Sequence, residues 1–251
     1  MASAKNQQGG SVKRRHILML GTAMVAGAAG FKAMALASGA ASGDAAAATG
    51  AGPWRVLFDG VHADAWRGWV SGVLPKGWHV VDGTLAKDGP VEELLTRETF
   101  GNFELELEWK IGKEGNSGVF YRATRECDHI YWSAPEYQLL DDANAPDGKS
   151  QLTATGSDYG LYPAPAGIVK PFGEWNSTRI IVSGNHVEHW LNGKKAVVYE
   201  LGSADWKAKV AASKFAAYPN YGVAKRGFIG IQGDHPGAIA LRHIRVRELA
   251  P

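Results

Sequence analysis

The sequence predicts an all-β protein whose strands form a sandwich or jelly roll. From Trp54 onward, apolar and polar residues alternate with a period of two, the pattern of strands buried on one face. The 32 glycines supply turn positions between these short runs. Only residues 203–215 have a helical pattern, with Ser203 as the N-cap. Many short strands and almost no helix favour this architecture over an α/β fold.

The first strands can be placed from the alternation itself. Residues 103–110 put Phe, Leu, Leu and Trp on one face and three glutamates and a lysine on the other. Residues 187–191 and 196–199 flank Asn192-Gly193, a dipeptide typical of a two-residue type I′ turn. These two runs are therefore predicted to form a hairpin.

The remaining strands lie near the C-terminus, after a long connection. Residues 228–232 and 239–246 are the last two predicted strands. In the second of them, the alternation of apolar and polar residues changes register near Arg242-His243, which predicts a β-bulge. The connection at 141–171 is rich in Gly, Pro, Asp and Tyr. Loops of that length in a compact domain are usually functional, so we expect it at the rim of a cleft.

The composition excludes several classes of protein. The chain has 251 residues, of which 45% are hydrophobic and 21% charged, as is ordinary for a globular protein. The formal net charge is +2, and part of the basic excess lies near the N-terminus, so no nucleic-acid partner is expected. Cys127 is the single cysteine, which excludes an intramolecular disulfide and a metal site of paired thiolates.

The N-terminal residues have the form of an export signal. In residues 1–37, the basic Lys13-Arg14-Arg15 precedes an apolar Ala/Gly-rich run and small residues at an A-x-A-like cleavage site. The adjacent arginines favour twin-arginine export, so we expect a periplasmic or extracellular protein. Lys32 and the glycines argue against a stable membrane anchor. Residues 38–53 are predicted to be a flexible linker, which leaves 54–251 as one folded domain.

Polar side chains gather in four segments that a purely structural sandwich does not need. These segments are 116–122, 135–142, 173–176 and 232–235. Period two puts Asn116 and Arg122 on one strand face, and Glu136 and Gln138 on one face of another strand. Arg122 with Glu136 also fits a structural ion pair across neighbouring strands. Asp234-His235 after a buried strand is a candidate base or metal-ligand pair, and also fits a hydrogen-bonded turn.

Taken in order, these segments resemble the 3-keto-disaccharide hydrolase family. The similarity spans about 54–249 and includes the opening Trp54–Gly60 and the closing Arg242–Leu249. The family's usual Gln-Asp-His-Gly stands here as 232–237, with Gly233 inserted and a proline added. The resemblance implies a concanavalin A-like jelly-roll β-sandwich whose concave sheet holds a sugar.

The resemblance also implies a reaction on glycosides already oxidised at C3. A ketone at C3 acidifies the C2 hydrogen, so a base can remove that proton, the C1 group can leave by β-elimination, and water can add back. The enolate oxygen needs an electrophile, for which a divalent metal ion of unspecified identity is one candidate. The sequence has no P-loop and no dinucleotide fingerprint, so no organic cofactor is expected. A sugar 3-oxidoreductase is the expected pathway partner, because it would supply the glycoside substrate.

Within this reading, the base or metal ligand is expected to be Glu136, or His235 supported by Asp234. The residues expected to bind substrate are Asn116, Arg122, Gln138, Asp141, Tyr159, Asn176 and His189, although His189 also fits a core position. One alternative is a non-catalytic lectin-like module, which needs aromatic platforms and no acid–base set. Another is an ordinary retaining glycosidase, which needs two carboxylates close together. The strand that carries Glu136 does not offer such a pair, because the next residues on the same face are Gln138 and Leu140.

Overall fold

The computed structural model describes residues 50–250, which form thirteen strands and one α-helix. The strands are β1 (Arg55–Phe58), β2 (Trp66–Gly68), β3 (His79–Val81), β4 (Thr84–Lys87), β5 (Leu94–Phe100), β6 (Phe103–Ile111), β7 (Asn116–Ala123), β8 (Glu136–Leu140), β9 (Asn176–Ser183), β10 (His186–Leu191), β11 (Lys194–Glu200), β12 (Gly227–Ile231) and β13 (Ile239–Glu248). The helix is α1 (Ala204–Ala211), and short 3-10 helices cover Ile130–Trp132, Pro146–Lys149 and Lys214–Ala217. The all-β class is confirmed.

The strands form two antiparallel sheets that share one core. The larger sheet has the order β11-β10-β9-β6-β13-β4-β3, with β1 also paired to β13, and the smaller has the order β2-β5-β12-β7-β8. Side chains of both sheets meet in a single apolar cluster, which includes Trp109 and Ile180 from the larger sheet and Val119 and Ile231 from the smaller. This arrangement is a β-sandwich.

The predicted alternation is confirmed in β6. Its four apolar side chains at alternate positions, from Phe103 to Trp109, are buried in the core. The glutamates between them lie on the other face, where Arg242 donates to Glu108 (2.7 Å) and Arg245 to Glu106 (2.8 Å). One face of the strand is therefore apolar and the other carries a ladder of ion pairs.

The predicted turn and bulge are also confirmed. Asn192 and Gly193 have φ values of 51° and 76°, as a type I′ turn between β10 and β11 requires. His243 has a φ of 51°, and the pairing of β13 with β6 changes register there. Ser203 caps α1, since its hydroxyl accepts from Trp206 N (3.1 Å). The helix is shorter than predicted because it ends at Ala211 and a 3-10 turn follows.

The folded region begins slightly before residue 54. Ala51 forms a β-bridge with Leu249, and Gly52 N donates to Glu248 O (2.8 Å), so the end of the predicted linker belongs to the sandwich. The predicted export signal and the linker up to residue 49 lie outside the described residues. Across residues 50–250, no helix is long and apolar enough to cross a membrane.

Neighbouring strands of the smaller sheet bring two polar segments side by side. Gly118 on β7 lies opposite Gln138 on β8, with Glu136 two residues earlier on the same face. The chain then returns along the edge of β8, where Tyr159 N donates to Glu136 O (3.0 Å). The connection between β8 and β9 runs over residues 141–175 and contains the long loop predicted at 141–171. It therefore extends this sheet edge and carries Tyr159 to the polar face.

Candidate active site

A cleft of about 280 Å³ lies over this polar face of the smaller sheet. Strands β7 and β8 and the residue after β12 form its floor, and loop residues form its walls. Its lining residues are Asn116, Tyr131, Glu136, Gln138, Tyr159, Lys214, Tyr218, Gln232, Asp234 and His235. Amide, carboxyl, imidazole, ammonium and phenol groups converge here, as in a site for a ligand with many hydroxyl groups.

Glu136 lies on the floor of the cleft and is almost completely buried. A Cβ atom on residue 118 would lie 2.1 Å from Glu136 Oε1, so the absence of a side chain at Gly118 makes room for the carboxyl. Burial raises the pKa of Glu136 to about 8, opposed by the Lys214 ammonium and reinforced by the Asp234 carboxylate. A carboxyl with this pKa can take up or release a proton near neutral pH.

Three amide side chains share the cleft with Glu136. The side-chain nitrogen of Gln138 donates hydrogen bonds to Glu136 Oε1 (3.2 Å) and to Ser117 O (2.9 Å). Asn116 lies at the start of the neighbouring strand, β7. The Oε1 atom of Gln232 is buried and has no hydrogen-bond partner within residues 50–250. An unpaired buried acceptor costs about 1–3 kcal/mol. A ligand hydroxyl that donates to this oxygen would remove that cost.

A buried lysine holds the Asp234–His235 loop. Lys87 Nζ donates to the carbonyl oxygens of His235 (2.7 Å) and Gly237 (3.2 Å), and burial lowers the pKa of Lys87 to about 8. Asp234 Oδ1 lies 3.7 Å from His235 Nδ1. Lys87 thus fixes the backbone of the loop, while the side chains of Asp234 and His235 line the cleft.

Tyrosines and a lysine from loops complete the walls. Tyr131 and Tyr218 pack edge to face, with ring centroids 5.8 Å apart, and Lys214 Nζ lies 4.4 Å from the centroid of the Tyr159 ring. Of these four, only Tyr159 was among the predicted site residues. The segment 213–215 carries part of the family resemblance and could have drawn attention to Lys214, but no spacing in the sequence places the two other tyrosines here.

Six of the ten predicted site residues line this cleft. They are Asn116, Glu136, Gln138, Tyr159, Asp234 and His235. The other four lie elsewhere, and each has a structural partner that accounts for its position.

Arg122 is directed away from the cleft because the strand alternation breaks at this residue. Its φ is 55°, in the left-handed region, so period two does not extend to it. Its guanidinium donates to Gly101 O (3.0 Å) and Gly184 O (2.8 Å), in two turns of the sandwich. Among the described residues, the ion pair with Glu136 considered from the sequence does not form.

We expect Arg122→Met to lower stability rather than substrate affinity. The substitution leaves two turn carbonyls without their charged donor, which costs about 3 kcal/mol, and the melting temperature should fall by roughly 5–10 °C. Thermal unfolding and KM should be measured together, with the exposed Arg125→Met as control. A raised KM with an unchanged melting temperature would instead assign Arg122 to substrate binding.

Asp141 and Asn176 stabilise turns. Asp141 Oδ2 accepts from Glu114 N (2.9 Å), and Asn176 Oδ1 accepts from Lys170 N (2.9 Å). Both side chains are buried outside the cleft. Such contacts are those of Asp and Asn in structural turns, so neither residue is placed to touch a ligand in the cleft.

His189 lies between the sheets in a buried polar network. Tyr121 donates to His189 Nε2 (2.9 Å), Nδ1 faces Gly156 O (3.1 Å), and burial lowers the pKa of His189 to about 4. Tyr121 also hydrogen-bonds Tyr199. Asp158, which the sequence analysis missed, is fully buried beside this network, and burial raises its pKa well above the ordinary range. Within residues 50–250, neither of its carboxyl oxygens has a hydrogen-bond partner.

The described residues do not assemble a metal-ligand set. Across residues 50–250, no three His, Cys, Asp or Glu side chains come together in a group that could hold a metal ion. Glu136, Asp234 and His235 are the potential ligands that line the cleft, but they do not form such a group. The divalent ion considered from the sequence therefore stays a prediction.

Comparison with known proteins finds similarity over most of the chain. Residues 53–247 match the model of the 3-keto-α-glucoside-1,2-lyase-like domain. The chain is 37% identical over 225 residues to the 3-keto-disaccharide hydrolase of Bacteroides thetaiotaomicron, covering 77% of each protein.

Solved structures with the same architecture include close and distant examples. One is the crystal structure of a Parabacteroides distasonis protein described as a proposed glycosyl hydrolase, which superposes with a TM-score of 0.74. It is 32% identical in sequence, and the similarity covers 80% of this chain and 95% of that one. A Bacillus subtilis protein of unknown function with a galectin-like fold superposes with a TM-score of 0.52 at 13% identity, covering 80% and 98%. The second similarity concerns the fold alone and confirms the concanavalin A-like jelly roll.

Proposed function

The chain belongs to the 3-keto-α-glucoside-1,2-lyase-like family, and from that premise we propose that it is a carbohydrate hydrolase that cleaves glycosides carrying a ketone at C3. The observation that carries the proposal is Glu136, a buried carboxyl on the floor of a polar cleft, with its pKa raised by burial to about 8. Removal of a proton from carbon needs a stronger base than an ordinary solvated carboxylate. The name of the Bacteroides relative supports the same class of substrate.

The first half of the proposed reaction is an elimination. The Glu136 carboxylate takes the C2 proton, and the C–H electron pair forms an enolate with negative charge on the C3 oxygen. Lys214 is the cation of the cleft that can stabilise this charge. The C1–O bond then breaks with its electron pair on the leaving oxygen, which takes a proton from His235. The sugar is left with a C1=C2 double bond conjugated to the ketone.

The second half is a hydration. Water adds to C1, and C2 regains a proton from Glu136, so the C3 ketone is retained and no net oxidation or reduction occurs. The complete cycle consumes one water and breaks one glycosidic bond. Gln138 and Gln232 would hold the sugar hydroxyls during both halves. If the unsaturated sugar leaves before water adds, the product is that of elimination alone.

The proposed substrate has to be made by the oxidation of a glycoside in a preceding reaction. A C3 ketone arises from a C3 hydroxyl by removal of two electrons and two protons, so we propose a sugar 3-oxidoreductase as the partner that supplies the substrate. The predicted export signal supports a location of this protein in the periplasm or outside the cell, and we expect the oxidoreductase in the same compartment. Fractionation of cells that express the full chain, followed by immunodetection, tests this location.

Turnover of matched substrates tests the function. Mature protein should release the leaving group from a 3-keto glucoside and not from the unoxidised parent, because the parent has no acidic C2 hydrogen. Release from the parent would establish an ordinary glycosidase, and sugar binding without release would establish a lectin-like module. EDTA belongs in the same assay, since a loss of rate restored by a divalent ion would assign a metal, the candidate electrophile considered from the sequence, to the site.

A further inference from the structure

The loop that carries His235 connects the two sheets. It runs from the end of β12 in the smaller sheet to the start of β13 in the larger. Backbone donors of other segments hold both of its ends, since Val91 N donates to Gly233 O (2.9 Å) and Gly112 N donates to Ala238 O (2.8 Å). The carbonyl of His235, near the middle of the loop, accepts from a side chain instead.

That side chain is Lys87, the last residue of β4. It is completely buried, and its Nζ donates to His235 O (2.7 Å), Gly237 O (3.2 Å) and Gly89 O (3.2 Å). An ammonium has three N–H donors, one for each of these carbonyls, whereas a neutral amine has only two. The number of acceptors therefore matches the charged form of the lysine.

A fully buried lysine is a costly way to fill space in a sandwich. Burial disfavours the charge and lowers the pKa of Lys87 to about 8, against the opposing effect of the Asp234 carboxylate. An apolar side chain would occupy the same volume without this cost, but it could not hold the loop carbonyls. The shortest of the three bonds goes to His235, the residue that carries the imidazole.

We propose that Lys87 is a positioning residue for the acid that protonates the leaving group. The inference rests on the proposed function, in which His235 gives its proton to the leaving oxygen. Lys87 belongs to a strand of the larger sheet, so its ammonium ties the backbone of His235 to a rigid element. Lys87 does not line the cleft itself, and it acts on the reaction through the position of His235.

Two leaving groups separate this role from a purely structural one. The para-nitrophenolate group leaves without a proton because it is a weak base, whereas methoxide needs a proton from an acid. Lys87→Met keeps the bulk of the side chain and removes its donors. Its kcat on the methyl 3-keto glucoside should fall about 100-fold, the effect of a catalytic group displaced by about 1 Å.

The steps that do not need the acid should be retained in Lys87→Met. Its rate on the para-nitrophenyl 3-keto glucoside should stay within about threefold of wild type. Exchange of the C2 hydrogen with solvent deuterium should also be retained, because Glu136 lies on β8 and not on this loop. In the His235→Gln background, adding Lys87→Met should change the rate on the methyl substrate by less than about threefold, since the acid is already absent.

Matched variants keep the test decisive. Arg122→Met also removes a buried cation that donates to two backbone carbonyls, but neither carbonyl belongs to the His235 loop. It should lower stability without distinguishing between the two leaving groups. If Lys87→Met does not fold, Lys87→Gln, which keeps two N–H donors, should show a smaller loss of the same selective kind.

The outcomes distinguish the two proposals. Equal losses on both leaving groups, or no loss on either, would overturn the positioning role and leave the proposed function in place. The same would follow if Lys87→Met cost as much in His235→Gln as in wild type. If wild type releases the leaving group from neither 3-keto glucoside, the proposed function fails and the role of Lys87 fails with it.

Discussion

Replacing Glu136 by glutamine is expected to lower kcat on a 3-keto glucoside about 100- to 10,000-fold, the range for removal of a general base. Glutamine has nearly the same shape, so the cleft keeps its packing but cannot accept the C2 proton. KM should change little, since Gln138, Gln232 and the tyrosines that line the cleft remain. Exchange of the C2 hydrogen with deuterium from solvent, followed by NMR, measures the same step directly and should be lost as well.

The same substitution is expected to stabilise the protein above neutral pH. The pKa of Glu136 is about 8 in the folded protein against an ordinary value of 4.5, so it is raised by folding. A group with a raised pKa contributes stability that is fully present below the ordinary pKa and is lost as the pH rises through the folded value. Glutamine does not titrate. The melting temperature of Glu136→Gln should therefore match that of wild type near pH 4 and exceed it by several degrees at pH 8 and above.

The pH dependence of the rate shows whether Glu136 acts as a base or as an acid. As a base, Glu136 must be ionised, whereas His235 must carry a proton to act as the acid, so kcat/KM of wild type should depend on pH in a bell shape. In His235→Gln, where the second group cannot titrate, kcat/KM should rise with pH and level off above about pH 8. A rate of His235→Gln that falls through the same range would assign Glu136 as an acid and leave His235 as the base. Glu93→Gln is a suitable control, because burial also raises the pKa of Glu93 but this residue does not line the cleft.

Local patterns in the sequence were sufficient for most of the fold. The alternation of β6, the type I′ turn at Asn192-Gly193 and the bulge at His243 each depend on residues within a few positions of one another. Sheet order was outside the reach of such patterns, since β12 pairs with both β5 and β7 across long stretches of chain. Those pairings are selected by burial of whole faces and not by any single segment.

The candidate site was predictable where it follows strand geometry. Glu136 and Gln138 share a face because they are two residues apart on one strand, whereas the same argument failed for Arg122, whose positive φ ends the alternation. Loop residues such as Lys214 were missed because only tertiary packing brings them to the cleft. The structure also explains why residue 233 is a glycine, which the sequence could not. A Cβ atom there would lie 2.5 Å from the carbonyl oxygen of Glu92, so there is no room for a side chain.

Gly118→Ala is expected to lower kcat about 100-fold, the effect of a catalytic group displaced by about 1 Å. The added methyl group would lie 2.1 Å from Glu136 Oε1 and 2.8 Å from its Cγ, so the Glu136 side chain must move. Gly118 is thus a positioning residue. The apparent pKa of kcat/KM should shift together with the rate, because the carboxyl leaves the environment that raises its pKa. Gly89→Ala is the control, since a Cβ there meets nothing within 4 Å.

A double-mutant cycle decides whether the loss of rate in Gly118→Ala is caused by displacement of the Glu136 side chain. Glu136→Asp shortens the side chain by one methylene and removes the contact with Oε1 at 2.1 Å, the shortest that the alanine methyl group would make with Glu136. On its own, this change should slow the reaction, because the carboxylate is drawn back from the substrate. If the steric contact is the cause, adding Gly118→Ala to the Asp variant should cost far less than in wild type, with a coupling of about 1–3 kcal/mol. Strict additivity, with equal losses in both backgrounds, would mean that Gly118→Ala acts by disturbing β7 and not by displacing the catalytic carboxyl.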